Sequence, residues 1–185
     1  MINLFISRNL FCVSCCLFAF GITPNIVLAE GRSPALKHNN SLPVITPTTP
    51  AAKEKMAQGL QLVQQGQLPQ AIQRFNEAIA LDPELWQAHY NLGLAKRQAG
   101  DLQGAVDAFY QTIVLQPRFA LGYANIGGIL IDVQNWSQAQ QYLDQAIAVD
   151  PNLAIAHYNL GLLHRQLGRQ AAAIRAWETA TQLAP

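Results

Sequence analysis

Four prolines stand at equal intervals along this chain: Pro83, Pro117, Pro151 and Pro185, each 34 residues from the next. A fixed period of that length constrains the fold more than any other feature, because it marks one small supersecondary unit repeated side by side. Other rows keep the same beat. Gly59, Gly93, Gly127 and Gly161 form one, and Ala71, Ala105, Ala139 and Ala173 another. Phe75, Phe109, Leu143 and Trp177 make a bulky row, and Ala78, Thr112, Ala146 and Ala180 a small one. The hexapeptide His-Tyr-Asn-Leu-Gly-Leu occurs twice, at His89–Leu94 and at His157–Leu162.

Local chemistry turns each period into two helices. Gln87 to Gln98 reads as a helix closed by Gly100, since a left-handed cap favours glycine. Asp101 then stands where its carboxylate can cap the next helix. That helix, Gln103 to Val114, stops ahead of Pro117, which cannot continue it. The Gly93 and Ala105 rows let paired helices approach closely, and the bulky Phe109 row fills the space between neighbours. One pair cannot bury its apolar face alone, so stacking is obligatory. Stacking also explains why only 12% of the 185 residues are charged, against about 25% in an average soluble protein.

The pattern resembles the tetratricopeptide repeat (TPR) family over Ala52 to Pro185. The resemblance implies an all-α, right-handed α-solenoid of four helix–turn–helix units at 52–85, 86–119, 120–153 and 154–185. Two departures stand out. The first repeat carries Lys55 and Gln58 where the family favours Trp and Leu, as befits a solvent-capped terminal unit. Gln134 replaces the turn glycine found as Gly66, Gly100 and Gly168.

Residues 1–29 differ from everything after them. Arg8 supplies a basic start, Leu10 to Phe20 is almost wholly apolar, and Val27-Leu28-Ala29 offers small residues at a cleavage site. That order is a secretory signal, with an uncleaved signal anchor as the alternative. Cys12, Cys15 and Cys16, all three cysteines, lie within it, so a mature chain from Glu30 has no disulfide or Cys nucleophile. Residues 30–51 hold Pro34, Pro43, Pro47 and Pro50 among Asn, Ser and Thr, and read as a disordered Pro-rich linker. The expected location is therefore an exported compartment (periplasm, lumen or exterior), or a membrane anchor facing it.

Charge excludes some partners. The chain has 12 basic and 11 acidic residues, and losing Arg8 with the signal leaves none in excess. Nucleic-acid binding needs a Lys/Arg surplus on one face. No clustered His and carboxylates point to a metal, no glycine-rich loop to phosphate, and no cofactor is expected. His89 and His157 occupy a row where the family favours an aromatic, so they read as packing residues rather than catalytic ones. No catalytic residue is assigned.

Binding suits the scaffold better. The resemblance implies that the first helix of each repeat lines a concave groove, with particular positions facing in. Here those positions carry Asn91, Asn125 and Asn159, then Tyr90 and Tyr158, Arg97 and Arg165, and Asp132, over apolar patches at Leu94 and Leu162. An amide offers both donor and acceptor, so an Asn ladder could hold the backbone of an extended peptide. The family's clamp for chaperone C-terminal tails is not expected. Of its residues only a central Asn survives, Asn91 in one register or Asn125 in the next. At the other end, the helix near Gln170–Gln182 is expected to leave Ile174, Leu183 and the edge of Trp177 uncovered, an edge for self-association or partner docking. The sequence thus reads as a non-catalytic adaptor for a protein or peptide partner. The alternative is a membrane-tethered or self-associating structural component acting through that edge.

Overall fold

The computed structural model describes residues 49–184. The expected signal (1–29) and residues 30–48 of the expected linker lie outside them. Within them run eight α-helices: α1 (Pro50–Gln64), α2 (Leu68–Leu81), α3 (Trp86–Gln98), α4 (Leu102–Leu115), α5 (Ala120–Asp132), α6 (Trp136–Val149), α7 (Ala154–Gln166) and α8 (Gln170–Leu183). Each 34-residue period supplies two. α1 opens two residues ahead of the expected boundary at Ala52. Thr49 takes the cap position, its Oγ1 accepting from the Ala52 N–H at 3.3 Å. Pro50 can then occupy the first helical position, where its missing N–H costs nothing.

The turn inside each repeat is closed the same way four times. A residue at positive φ ends the first helix: Gly66 at 73°, Gly100 at 85°, Gly168 at 72°, and Gln134 at 61°. The next residue's N–H then bonds a carbonyl five residues back. These bonds are Gln67 to Leu62 (2.9 Å), Asp101 to Lys96 (2.9 Å), Asn135 to Leu130 (2.8 Å) and Arg169 to His164 (2.9 Å). This is the Schellman closure, which satisfies orphan helix carbonyls. Asp101 caps α4 as expected, accepting from the Gly104 N–H at 2.9 Å. Asn135 does the same for α6 at 3.4 Å, whereas Gln67 and Arg169 give no side-chain cap.

Turns between repeats use the prolines. Asp82 and Asp150 accept from the N–H two residues on, at 3.1 and 3.0 Å. His89 Nε2 donates to the Pro83 carbonyl at 3.0 Å, and His157 Nε2 to that of Pro151 at 2.8 Å. Both histidines thus tie a first helix to the turn that precedes it.

Packing explains why the glycine and bulky rows share a period. A Cβ on Gly59 would stand 2.6 Å from the Phe75 ring, one on Gly93 2.7 Å from Phe109, and one on Gly127 2.8 Å from Leu143. A Cβ on Gly161 would overlap Trp177. Each bulky residue therefore lies on the glycine of its own repeat. Phe75, Phe109 and Leu143 are fully buried, as is the Ala71, Ala105, Ala139 and Ala173 row. Thr112, the one hydroxyl in the small row, donates to the Ala108 carbonyl at 2.9 Å and so carries no unpaired polar atom into the core. Successive repeats stack through α2 on α3, α4 on α5 and α6 on α7, giving a continuous all-α solenoid. At its start Glu77 of α2 bonds Lys55 of α1 at 2.9 Å and Arg74 at 2.7 Å. Those two cations lower its carboxyl from 4.5 to about 2.

Candidate functional site

The first helices of the repeats stand side by side. α1 touches α3 and α5 touches α7, while side chains join α3 to α5. Their common exposed surface, here the inner face, carries Leu60 and Leu94 open to solvent. The residues expected to line a groove fall on it, but they do not behave alike.

The three asparagines differ most. Asn159 is buried, and its Nδ2 donates to the Ala124 carbonyl of the preceding repeat at 3.1 Å. Asn125 Nδ2 donates to the Leu121 carbonyl of its own helix at 2.9 Å and reaches Tyr90 Oη at 3.5 Å. Asn91 is half-buried and has no side-chain hydrogen bond among the described residues. The cause lies in the repeat before each one. Asn159 faces Ala124 and Gly128, which leave a helix carbonyl uncovered. The equivalent neighbours of Asn125 are Tyr90 and Leu94, and those of Asn91 are Met56 and Leu60, which carry larger side chains at those positions. An amide committed to the scaffold is not free for a ligand backbone. The expected ladder therefore reduces to Asn91 and the outward side of Asn125.

The tyrosines also part company. Tyr90 packs on Phe109 (centroids 5.6 Å) and edge-on to Phe119 (4.9 Å), and Phe119 itself meets Trp86 at 4.8 Å. Burial raises the Tyr90 phenol above its ordinary value of 10.0, against the lowering effect of the Asn125 bond. Tyr158 is 48% exposed. It lines an open cleft of about 490 Å³ with Ile155, Trp177, Ala180, Thr181 and Ala184.

Arg97 sits at the centre of the inner face. Its Nη1 donates to Asn125 Oδ1 at 3.4 Å, and its Nη2 stands 3.7 Å from Asp132 Oδ2. Arg165, the equivalent residue two repeats on, lies over the Trp177 ring at 5.9 Å, a cation–π contact. At the far edge Ile174 is 53% exposed, while Trp177 and Leu183 are half-buried. Trp177 Nε1 donates to the Tyr158 carbonyl at 3.2 Å.

Sequence reasoning missed Gly128. The row it belongs to reads Leu60, Leu94, Gly128 and Leu162, and that one break was the available signal. A Cβ there would meet Asn159 Nδ2 at 3.2 Å and Arg97 Nη2 at 3.8 Å. Side chains from α3 and α7 thus close over the backbone of α5 where a leucine would otherwise stand.

Known proteins fit this architecture. Profiles described as TPR repeat and tetratricopeptide repeat match residues 59–98, 87–117 and 127–185. A search of the curated proteins gives no significant match. Among solved structures, MamA 41-end from Desulfovibrio magneticus RS-1 is similar at TM-score 0.66 and 24% identity, over 75% of this chain and 78% of that one. A thermophilic TPR protein of Thermus thermophilus gives 0.65 and 23%, over 72% and 74%. Pseudomonas aeruginosa pilF gives 0.65 and 25%, over 72% and 61%. The period, the paired helices and the matched profiles together place this chain in the tetratricopeptide repeat family, as a repeat scaffold of the kind that mediates protein–protein interaction.

Proposed function

We propose that this protein is a non-catalytic adaptor that seats an extended peptide or a folded partner across its inner face. One observation carries the reading. Solvent-open leucines, Leu60 and Leu94 of the first two repeats, share that face with a polar centre made by Tyr90, Asn125, Arg97 and Asp132 from the second and third. Apolar surface interrupted by a few positioned polar groups is how a binding face combines affinity with orientation. The work done is noncovalent positioning, of the kind an assembly or biogenesis factor performs. The signal-like segment supports an exported compartment for that work. N-terminal sequencing of the mature protein tests the location: a start at Glu30 supports it, and an intact Met1 supports the anchored form.

Affinity capture from the exporting cell with wild type and Leu94→Lys tests the binding face. A partner lost with Leu94→Lys at unchanged helicity supports the reading, and equal capture by both refutes it. Substituting all three asparagines would mix effects, because Asn159 holds the scaffold, so Asn91→Ala is the cleaner polar probe. A second reading, self-association through α8, is favoured by the exposure of Ile174 beside the Tyr158–Trp177 cleft. Light scattering at high concentration decides it. A larger species that Ile174→Lys converts to monomer supports it, and a strict monomer rejects it.

A further inference from the structure

We infer that Arg97, lying over α5 at the break made by Gly128, is a subsite for the side-chain carboxylate of an acidic residue within an extended peptide. This rests on the inner face being the binding face, and gives that face a ligand chemistry. Three observations carry it.

Arg97 is placed but not saturated. Asn125 is anchored on the Leu121 carbonyl at 2.9 Å, which leaves its Oδ1 toward the guanidinium. Yet the two contacts of Arg97 measure 3.4 and 3.7 Å, long beside the roughly 2.7–2.9 Å of a charge-assisted bond. A guanidinium has five donors in a planar fork that matches a carboxylate, so most of its capacity is unused.

The chain already puts a carboxylate there, loosely. Asp132 is 53% exposed and reaches Arg97 from the next repeat. An exposed pair of this kind contributes little, so an incoming carboxylate displaces Asp132 at little cost.

Charge and shape agree. Residues 49–184 hold nine basic and ten acidic residues, because Arg8, Arg32, Lys37 and Glu30 precede them. The residues expected to line the groove nonetheless carry two arginines, Arg97 and Arg165, against Asp132. Gly128, with no side chain of its own, lets the Arg97 guanidinium and the Asn159 amide lie over α5 where a leucine would stand, and Leu94 and Leu162 hold the same repeat position on α3 and α7. The matching ligand is an acidic residue between apolar ones. A side chain fits better than a chain terminus, because first helices flank the site on both sides and a peptide can run through.

The experiment uses four peptides on the full chain. Three are acetylated and amidated and differ only in a central Glu, Gln or Lys between leucines. The fourth is the Gln peptide with a free C-terminus. Binding is read by fluorescence anisotropy and by amide shifts of Leu94, Gly128 and Leu162. The Glu peptide should bind about fivefold more tightly than Gln, the upper end of what a solvent-exposed ion pair contributes. Arg97→Gln should remove that preference, Arg97→Lys should restore part of it, and Asp132→Asn should strengthen Glu binding alone. Glu and Gln peptides binding equally, or a preference that survives Arg97→Gln, overturns the subsite and leaves the inner face standing. Tighter binding of the free C-terminus than of Glu assigns the site to a terminal carboxylate and overturns the side-chain assignment. If no peptide moves those three amides, the subsite and the inner-face reading fall together.

Discussion

The hexapeptide at His89–Leu94 and its copy at His157–Leu162 fold into the same turns of α3 and α7, yet their side chains meet different surroundings. Tyr90 is wedged between Phe109 and Phe119, while Tyr158 opens onto a cleft. Asn91 has no side-chain hydrogen bond among the described residues, while Asn159 is buried on the Ala124 carbonyl. The histidines do the same work, each bonding a proline carbonyl six residues back, and each glycine receives the bulky residue of its own repeat. Local sequence therefore sets what a repeat does within itself. What its side chains do across the stack is set by residues of the neighbouring repeat, 28 or 35 positions away.

The largest expected effect tests that rule at the glycine of each copy. Gly93 lies on Phe109, which is fully buried, whereas Gly161 lies on Trp177, which borders the open cleft. Gly93→Ala should cost about 2 kcal/mol from overpacking, after the gain of about 1 kcal/mol for alanine in a helix. Gly161→Ala should cost less than Gly93→Ala, because the indole can shift toward the cleft, although that shift lengthens its Nε1 bond to the Tyr158 carbonyl. Denaturant melts of the two variants give the comparison directly. Equal losses would mean that the bulky row is equally confined at both ends.

The asparagines give the next effect. Asn159→Ala removes a buried hydrogen bond and should cost about 1 kcal/mol. Asn91→Ala removes none and should stay within about 0.5 kcal/mol. The same pair measured for partner binding should reverse in rank, Asn91 mattering more. Two variants with matching stability would show that the Ala124 contact contributes nothing.

How much of this was legible follows the same division. The period, the glycine turns, the Asp101 cap and the proline stops are properties of single repeats, and each was readable from neighbouring residues. Gly93 against Phe109 was half readable, since the two rows keep step, although the sequence does not say which face of which helix they share. The fates of Asn91, Asn125 and Asn159 were not readable from their own row. They depend on whether the preceding repeat offers a carbonyl beside small residues, a phenol, or neither. Gly128 was visible as an exception among leucines, but its meaning needed the positions of Arg97 and Asn159 in space. Local closure is short-range chemistry, and cross-repeat contact is geometry.

A smaller effect contrasts the turns of the two copies. Lys96 and Asp101 attract at 3.4 Å, and Asp101 also caps α4. The equivalent residues in the fourth repeat are His164 and Arg169. Arg169 gives no cap, and His164 Nδ1 is a buried nitrogen without a partner among the described residues. Burial lowers the imidazole below its ordinary 6.5; Arg169 and Arg175 add to that, and Asp144 opposes it. With the folded value below the unfolded one, the unfolded chain binds the proton first. Stability is therefore retained above about pH 6.5 and falls as pH drops toward the folded value. Arg169→Asp should supply a cap worth about 1 kcal/mol and replace a repelling charge with an attracting one. The variant should melt higher than wild type, and its margin should widen from about pH 7.5 to about pH 5.5. A constant margin would assign the whole gain to the cap and none to His164.

The smallest effect concerns the one turn that lacks glycine. Gln134 holds φ at 61° and makes the same closing bonds as Gly100 and Gly168. Its side chain gains nothing visible there, being exposed. A left-handed conformation costs a residue with a Cβ about 1–2 kcal/mol. Glycine removes that strain but adds freedom to the unfolded chain, an opposing effect of roughly 0.5–1 kcal/mol. Gln134→Gly should therefore stabilise the fold by only about 0.5 kcal/mol. The reverse changes, Gly100→Gln and Gly168→Gln, should destabilise by a similar amount, and equally in both copies, because a Cβ at either glycine meets nothing within 4 Å. Unequal losses at those two turns would show that even the closure inside a repeat senses its neighbours, and would move the line between local and cross-repeat control into the turn itself.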